Sequence, residues 1–197
     1  MRDLVKMVVV LTVLSAGSGG LLAALRNSTA QQIENQQLKF VKGPAIVSIL
    51  NGASNDPIQD RFKIDDNGVE RSFFVGKYNG KADTVAFETF GKGFGGEIGV
   101  MVGVNVDTGK IIGMDITTHS ETPGVGARAK TDEKFKGQFK GQPIDQTFKV
   151  KADGGQVDAV SGATVTSRGV SAALTDADQI YERLKPKILE NLKKFTS

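Results

Sequence analysis

The segment from Met7 to Leu25, MVVVLTVLSAGSGGLLAAL, runs for 19 residues without a charged side chain. As an α-helix it rises about 28 Å, close to the ~30 Å hydrocarbon thickness of a bilayer. A cleaved signal peptide is the competing reading, with a charged start, an apolar run from Met7 to Leu14 and small residues from Ser15 to Gly20. The apolar run resumes at Leu21–Leu25, where a signal peptide would already have ended, so a retained transmembrane anchor over residues 1–27 is expected. Its centre, SAGSGG, admits two readings: close packing against another membrane helix, or simple tolerance of Gly in that setting. Charge leaves the orientation open, because Arg2 and Lys6 on one side face Arg26, Lys39 and Lys42 on the other.

The formal net charge of +3 is concentrated at this end: residues 1–27 carry +2, which leaves +1 for the other 170. A body so nearly neutral does not carry a nucleic-acid footprint. The chain has no Cys and one His among 197 residues. Disulfide frameworks, thiolate-bound clusters, CxxCH haem attachment and thiol nucleophiles are thereby excluded. Neither a catalytic residue nor a metal site of the chain's own is expected, so any redox chemistry has to be borrowed from a cofactor.

After the anchor, STAQQIENQQLKFV (28–41) reads as a helical stalk that Gly43-Pro44 ends, with a stalk or linker region over 28–60 and a domain over 61–197. From Phe62 to Thr118 the apolar pattern turns to period two, punctuated by Asn67-Gly68, Asn79-Gly80 and Asp107-Thr108-Gly109. RSFFVGKY (71–78), TVAFETF (84–90), EIGVMVGVNV (97–106) and KIIGMDITT (110–118) are predicted as consecutive antiparallel strands. A helix is predicted over 130–139, then strands at 148–151 and 156–160, then a long helix from about Val165. On that helix Val170, Leu174, Ala177, Tyr181 and Leu184 form one apolar face, and Ile188, Leu192 and Phe195 continue it past a break or kink at Pro186. The fold class is α+β, an antiparallel sheet with packed helices.

GKGFGG (91–96) matches GxGxxG, but the dinucleotide fingerprint needs a strand before it and a helix after. EIGVMVGVNV follows and alternates like a strand, so the motif reads as a turn. Residues 158–167, DAVSGATVTS, lie where a strand gives way to the long helix. A helix N-terminus offers unpaired N–H groups and the positive end of a dipole, which suit a phosphate. The spacing is equally that of a plain N-cap by Ser161 or Thr164.

Asp158-x-x-Ser161-Gly162-Ala163-Thr164 resembles the flavinylation signature Asp-x-x-Ser/Thr-Gly-Ala-Thr of the FMN-binding domain family. His119-Ser120-Glu121-Thr122-Pro123-Gly124-Val125-Gly126 is similar to that family's Glu-Thr-Pro-Gly-Leu-Gly loop, with Val125 in place of Leu. The resemblance runs from about Phe74 to Leu174. It implies FMN joined by a phosphoester to Thr164 through the action of a flavin transferase. It also implies a cofactor site made of Thr164, Ser161, Gly162, Ala163, Thr166, Glu121, Thr122, Gly124 and Val125. Glu121 is open between orienting its loop and touching the cofactor, Asp158 is assigned to recognition by the transferase, and His119 to a strand end near the flavin without acid–base work.

With the anchor included, the layout resembles the G-subunit family of the Rnf ion-translocating ferredoxin:NAD+ oxidoreductase complexes. It is similar also to the C-subunit family of the sodium-translocating NADH:quinone reductases. The implied protein is a single-pass component of the bacterial inner membrane with its soluble domain on the extracytoplasmic side. The other membrane subunits of the complex are its partners, and it relays single electrons. The alternatives that the residues leave open are a non-redox extracytoplasmic binding or assembly module and a free-standing flavoprotein reductase.

Overall fold

The computed structural model describes residues 2–195. They form two compact units, divided in sequence between Phe40 and Val41. The first is one helix, α1 (Arg2–Gln37). Among the described residues it is the one helix long and apolar enough to cross a membrane. Its apolar side chains, Leu4, Val8, Leu11, Leu14 and Leu22 among them, are all exposed. The hydroxyls of Thr12 and Thr29 donate to the carbonyls of Val8 and Leu25 at 2.8 Å, the internal satisfaction that an apolar surrounding requires of a polar side chain.

A five-residue π-helical turn, Leu38–Lys42, leads into α2 (Gly43–Ile49). Here the structure departs from the sequence reading, in which Gly43-Pro44 ends a helix. Pro44 instead lies in the first turn of α2, where its missing N–H costs nothing because that donor has no intrahelical acceptor. The compact second unit therefore takes in residues 41–60, a stretch expected to be linker.

Five antiparallel strands form the sheet in the order β1-β2-β3-β4-β5: β1 (Arg61–Asp66), β2 (Val69–Tyr78), β3 (Lys81–Lys92), β4 (Glu97–Asn105) and β5 (Lys110–Ile116). The Asn-Gly turns hold both central residues at positive φ, 56° and 87° at Asn67-Gly68 and 52° and 81° at Asn79-Gly80. That is the type I′ geometry whose twist matches a hairpin.

The long helix α5 (Thr164–Leu192) covers one face of the sheet. Its Val170, Leu174, Ala177, Tyr181 and Leu184 are buried in one cluster with Phe73, Val85, Phe87, Val100, Val102 and Ile116 of the strands. The helix continues through Pro186 and buries Ile188 and Leu192 beyond it. Where α5 crosses β3 the two backbones touch: a Cβ on Gly91 would lie 1.9 Å from the carbonyl oxygen of Gly169. At the other end Arg183 forks onto Asp66 with two bonds of 2.8 Å, and Arg71 adds a third of 2.8 Å. These bonds tie α5 to the first hairpin and hold the Asp66 carboxyl far below the usual carboxylate range, the Arg183 hydrogen bond outweighing the opposing effect of burial.

The opposite face is covered by α2. Ile46, Ile49 and Leu50 are buried there, together with Phe74, Ala86 and Met101. A Cβ on Gly103 would meet Ile49 at 2.4 Å, so the small residues of β4 make room for this second layer. This explains why residues Ile98–Val104 of β4 are buried without alternation.

Two further expectations are corrected. The helix predicted over 130–139 is two short ones, α3 (Arg128–Thr131) and α4 (Glu133–Gly137). Asp132 stands between them with an extended backbone, and its carboxylate accepts from the Phe135 amide at 3.0 Å to cap the second. The strands predicted at 148–151 and 156–160 are absent: one bridge, Val150 to Val157, joins these stretches. The Lys151 amide donates to the Val157 carbonyl at 2.8 Å and the Val157 amide to the Lys149 carbonyl at 3.0 Å, while those of Phe148, Asp158 and Val160 go to the side chains of Thr175, Gln138 and Ser167.

Candidate functional site

The first turn of α5 begins in the loop Val160–Ala163. The Ala163 amide donates to the Val160 carbonyl at 2.9 Å, and Gly162 between them takes φ 78°, a backbone that strains any side chain. The hydroxyl holding this start together is that of Ser167. It accepts from the Val160 amide at 3.0 Å and donates to the Ala163 carbonyl at 2.9 Å. The residue at the N-cap position is Ala163, with no side-chain cap, so neither Ser161 nor Thr164 plays the capping role that spacing allowed. Among the described residues the backbone N–H groups of Thr164, Val165 and Thr166 have no acceptor. Three free amides at the positive end of a 29-residue helix make an anion cradle.

The cradle opens into a cleft of about 370 Å³ lined by Phe94, Glu121, Thr122, Val125, Gly126, Gly162, Ala163, Thr164, Val165 and Thr166. Three chain segments supply these residues: the Gly-rich turn between β3 and β4, the loop after β5, and the start of α5. In the loop, Pro123 and Gly124 occupy the middle of a turn closed by the Val125 amide on the Thr122 carbonyl at 3.2 Å, with Gly124 at φ 72°. Phe94, Val125 and Val165 form an apolar rim, exposed by 76%, 43% and 42%.

Glu121 is the buried acid of the site, 5% exposed. Oε1 accepts from the Gly95 amide at 2.8 Å, and Oε2 from the Phe94 amide at 3.3 Å and from the Thr166 hydroxyl. Burial works to raise its pKa, yet the bonds donated by Thr166, Gly95 and Phe94 together prevail and hold it below the ordinary glutamate value. His119 accepts the Glu121 amide on Nδ1 at 3.3 Å and does not line the cleft.

Of the residues singled out from sequence, Thr164, Gly162, Ala163, Thr166, Glu121, Thr122 and Val125 come together around the cleft, while Ser161 and Gly124 stand outside its lining. Asp158 is also outside, exposed and paired with Lys151 at 2.7 Å. The site residues read from the sequence leave out Phe94, Val165 and Gly126, although Gly126 belongs to the Glu-Thr-Pro-Gly loop motif. A signal for the first was present: Phe94 is the lone apolar residue in the Gly-rich turn, at a site where a turn by itself asks for none.

An antiparallel sheet backed by one long helix, with a free helix N-terminus opening on an apolar-rimmed cleft, is the frame on which the match to the FMN-binding domain family falls. The profile of that domain family matches residues 93–179, which include every residue lining the cleft. Over 178 residues the chain is 33% identical to the G subunit of an ion-translocating oxidoreductase complex from Methanosarcina acetivorans, covering 89% of this chain and 93% of that one. It is 30% identical to the protein of the same name in Pseudomonas aeruginosa, covering 86% and 85%. To the G subunit of the proton-translocating ferredoxin:NAD(+) oxidoreductase complex of Clostridium ljungdahlii it is 32% identical, covering 66% and 71%. The chain belongs to the family of G subunits of ion-translocating oxidoreductase complexes. Among solved structures, NqrC of Shewanella oneidensis aligns with a TM-score of 0.45 at 30% identity, over 62% of this chain and 64% of that one.

The residues present fit FMN. Three free amides suit its phosphate, the rim of Phe94, Val125 and Val165 suits its flat ring, and the cleft volume lies within the range of small-molecule sites.

Proposed function

We propose that this chain is a membrane-anchored flavoprotein subunit that carries FMN covalently on Thr164 and relays electrons within an Rnf-type ion-translocating ferredoxin:NAD+ oxidoreductase. The observation that carries the attachment is a count of hydroxyls at the start of α5. Thr166 spends its hydroxyl on Glu121, Ser167 spends its own on the Val160–Ala163 loop, and Ser161 lies outside the cleft. Thr164 is half-buried, lines the cleft, and has a hydroxyl without a hydrogen-bond partner among the described residues. A phosphoester at its Oγ1 would bring the phosphate to the free amides of its own helix turn.

FMN supplies one- and two-electron chemistry when bound. The chain's own part would be to hold and shape: Thr164 to Thr166 would offer N–H donors to the phosphate, and Phe94, Val125 and Val165, with the 121–126 loop, would border the ring and limit its contact with water. Among the described residues Glu121 is the one acid or base that lines the cleft, and its oxygens are already engaged, which suits electron relay better than acid–base conversion of a substrate. The absence of a hydroxyl cap at α5 also weakens the alternative of a binding module in which Ser-Gly-Ala-Thr is only a cap. The G-subunit relatives support the place in a complex, and α1 supports the anchor; the extracytoplasmic side for the domain is carried by the family resemblance alone. The test is coexpression with a flavin transferase followed by in-gel flavin fluorescence of wild type and Thr164→Val. Loss of fluorescence in the variant is expected, and equal fluorescence refutes attachment at Thr164. Copurification of the other membrane subunits tests the assignment to the complex.

A further inference from the structure

At Glu121 a single carboxylate joins the walls of the cleft. The Gly-rich turn donates two amides to it, the first turn of α5 donates the Thr166 hydroxyl, and the acid itself belongs to the loop after β5. The packing around it leaves no slack: a Cβ on Gly93 would come within 2.4 Å of Oε1, and one on Gly126 within 2.8 Å of Oε2. Among the described residues no Lys or Arg forms an ion pair with Glu121; its charge is met by these donors, with a smaller electrostatic contribution from the neighbouring His119. Both oxygens accept, taking three donors between them, which a neutral amide with one acceptor oxygen and a donor NH2 could not match. The ionised carboxylate is therefore the form this site accommodates, and it places a fixed negative charge at the cleft wall.

We infer that Glu121 is the positioning residue of the cleft: its carboxylate pins the Gly-rich turn to the first turn of α5 and keeps a fixed negative charge at the cavity wall that opposes reduction of the flavin. This rests on the FMN reading above for its redox half and on the protein alone for its positioning half. Two-electron reduction with one proton taken from solvent adds one negative charge to the flavin, and that added charge is what Glu121 opposes; Glu121 forms and breaks no bond in the process. One unit charge acting across a cavity of this size, at an effective dielectric constant of about 20, is worth roughly tenfold in an equilibrium.

The experiment uses the full chain in detergent as wild type, Glu121→Gln and Thr166→Val. Amide exchange at Phe94 and Gly95, followed without flavin, is expected to be about tenfold faster in Glu121→Gln and about threefold faster in Thr166→Val, because bonds to a charged acceptor are stronger than those to a neutral one. Unchanged rates overturn the positioning role, and Thr166→Val decides that point alone should Glu121→Gln fail to fold. In flavin-loaded protein, a redox titration should show the ratio of reduced to oxidised flavin at a fixed potential rising about tenfold in Glu121→Gln, equivalent to roughly 30 mV for a two-electron couple. Thr166→Val, which keeps the charge, should stay at the wild-type value. Equal potentials in wild type and Glu121→Gln, or an equal rise in both variants, overturn the charge role. Failure of the wild type itself to take up flavin refutes the FMN reading and leaves the exchange result to decide the positioning role.

Discussion

Gly169 sits in the interior of α5, where helix propensity by itself favours alanine by about 1 kcal/mol. The structure predicts the opposite outcome for Gly169→Ala. The new Cβ would lie 2.6 Å from the carbonyl oxygen of Lys92, 2.9 Å from its carbon and 3.1 Å from the Gly93 nitrogen, all backbone atoms of the strand end and the turn. An ordinary carbon–oxygen contact is about 3.3 Å or more, so the helix has to retreat from β3 by roughly 0.7 Å. Neither partner is a flexible side chain that can yield. Overpacking of this kind costs about 1–3 kcal/mol, and with rigid backbone on both sides the upper part of that range applies. Subtracting the propensity gain leaves a loss of about 2 kcal/mol, or ~4–8 °C in melting temperature for a domain of this size. Thermal unfolding of the full chain by circular dichroism measures it. Gly137→Ala is the control, since nothing lies within 4 Å of its Cβ, and it should leave the melting temperature unchanged or slightly raised. A Gly169→Ala protein as stable as wild type would refute the claim that backbone contact sets the helix-to-sheet distance. The same retreat separates the first turn of α5 from the Gly-rich turn, so flavin loading should fall alongside stability.

Asp66→Asn should cost about 2–3 kcal/mol, below the 3–5 kcal/mol of a fully buried pair because Arg183 is 44% exposed. In wild type the folded pKa of Asp66 lies below its unfolded value, so its contribution is complete above about pH 4 and declines as acidification moves through the folded pKa. Urea denaturation from pH 7 to pH 3 should therefore show a steeper acid decline in wild type than in Asp66→Asn. Leu14→Lys, in the middle of α1, should raise the cost of membrane insertion by about 3 kcal/mol and shift the chain from the carbonate-resistant to the extractable fraction, whereas an unchanged distribution would refute the membrane-spanning reading.

Much of this protein is legible in local signals. The two Asn-Gly turns, the period-two stretches and the apolar face from Val170 to Leu184 each announce their element because a short stretch of chain decides them. The errors fall where partners distant in sequence decide. Residues 148–160 carry alternating apolar residues, but the amides of Phe148, Asp158 and Val160 are taken by the side chains of Thr175, Gln138 and Ser167, partners that no local pattern records. Pro44 looked like a terminator because the buried face of α2, Ala45, Ile46 and Ile49, has meaning only against Gly103 and Met101 on the far side of the sheet. At the site, the hydroxyl motif and the Pro-Gly loop were visible as motifs, but Phe94 and Val165 were not, since a rim exists only after three segments meet.

By itself, the order of residues determined the uncharged 19-residue run, the hairpins, the long amphipathic helix, and the want of any redox side chain in a chain with no Cys. These depend on composition and on interactions within a few residues. Only the tertiary structure decided what the hydroxyls at the start of α5 do. Ser167 turned out to hold the loop, Thr166 to serve Glu121, and Thr164 to be left with an open hydroxyl beside three free amides. The reason is physical: a hydrogen bond such as that from Thr166 to Glu121, 45 residues away, is chosen by geometry in three dimensions, and no spacing along the chain records it.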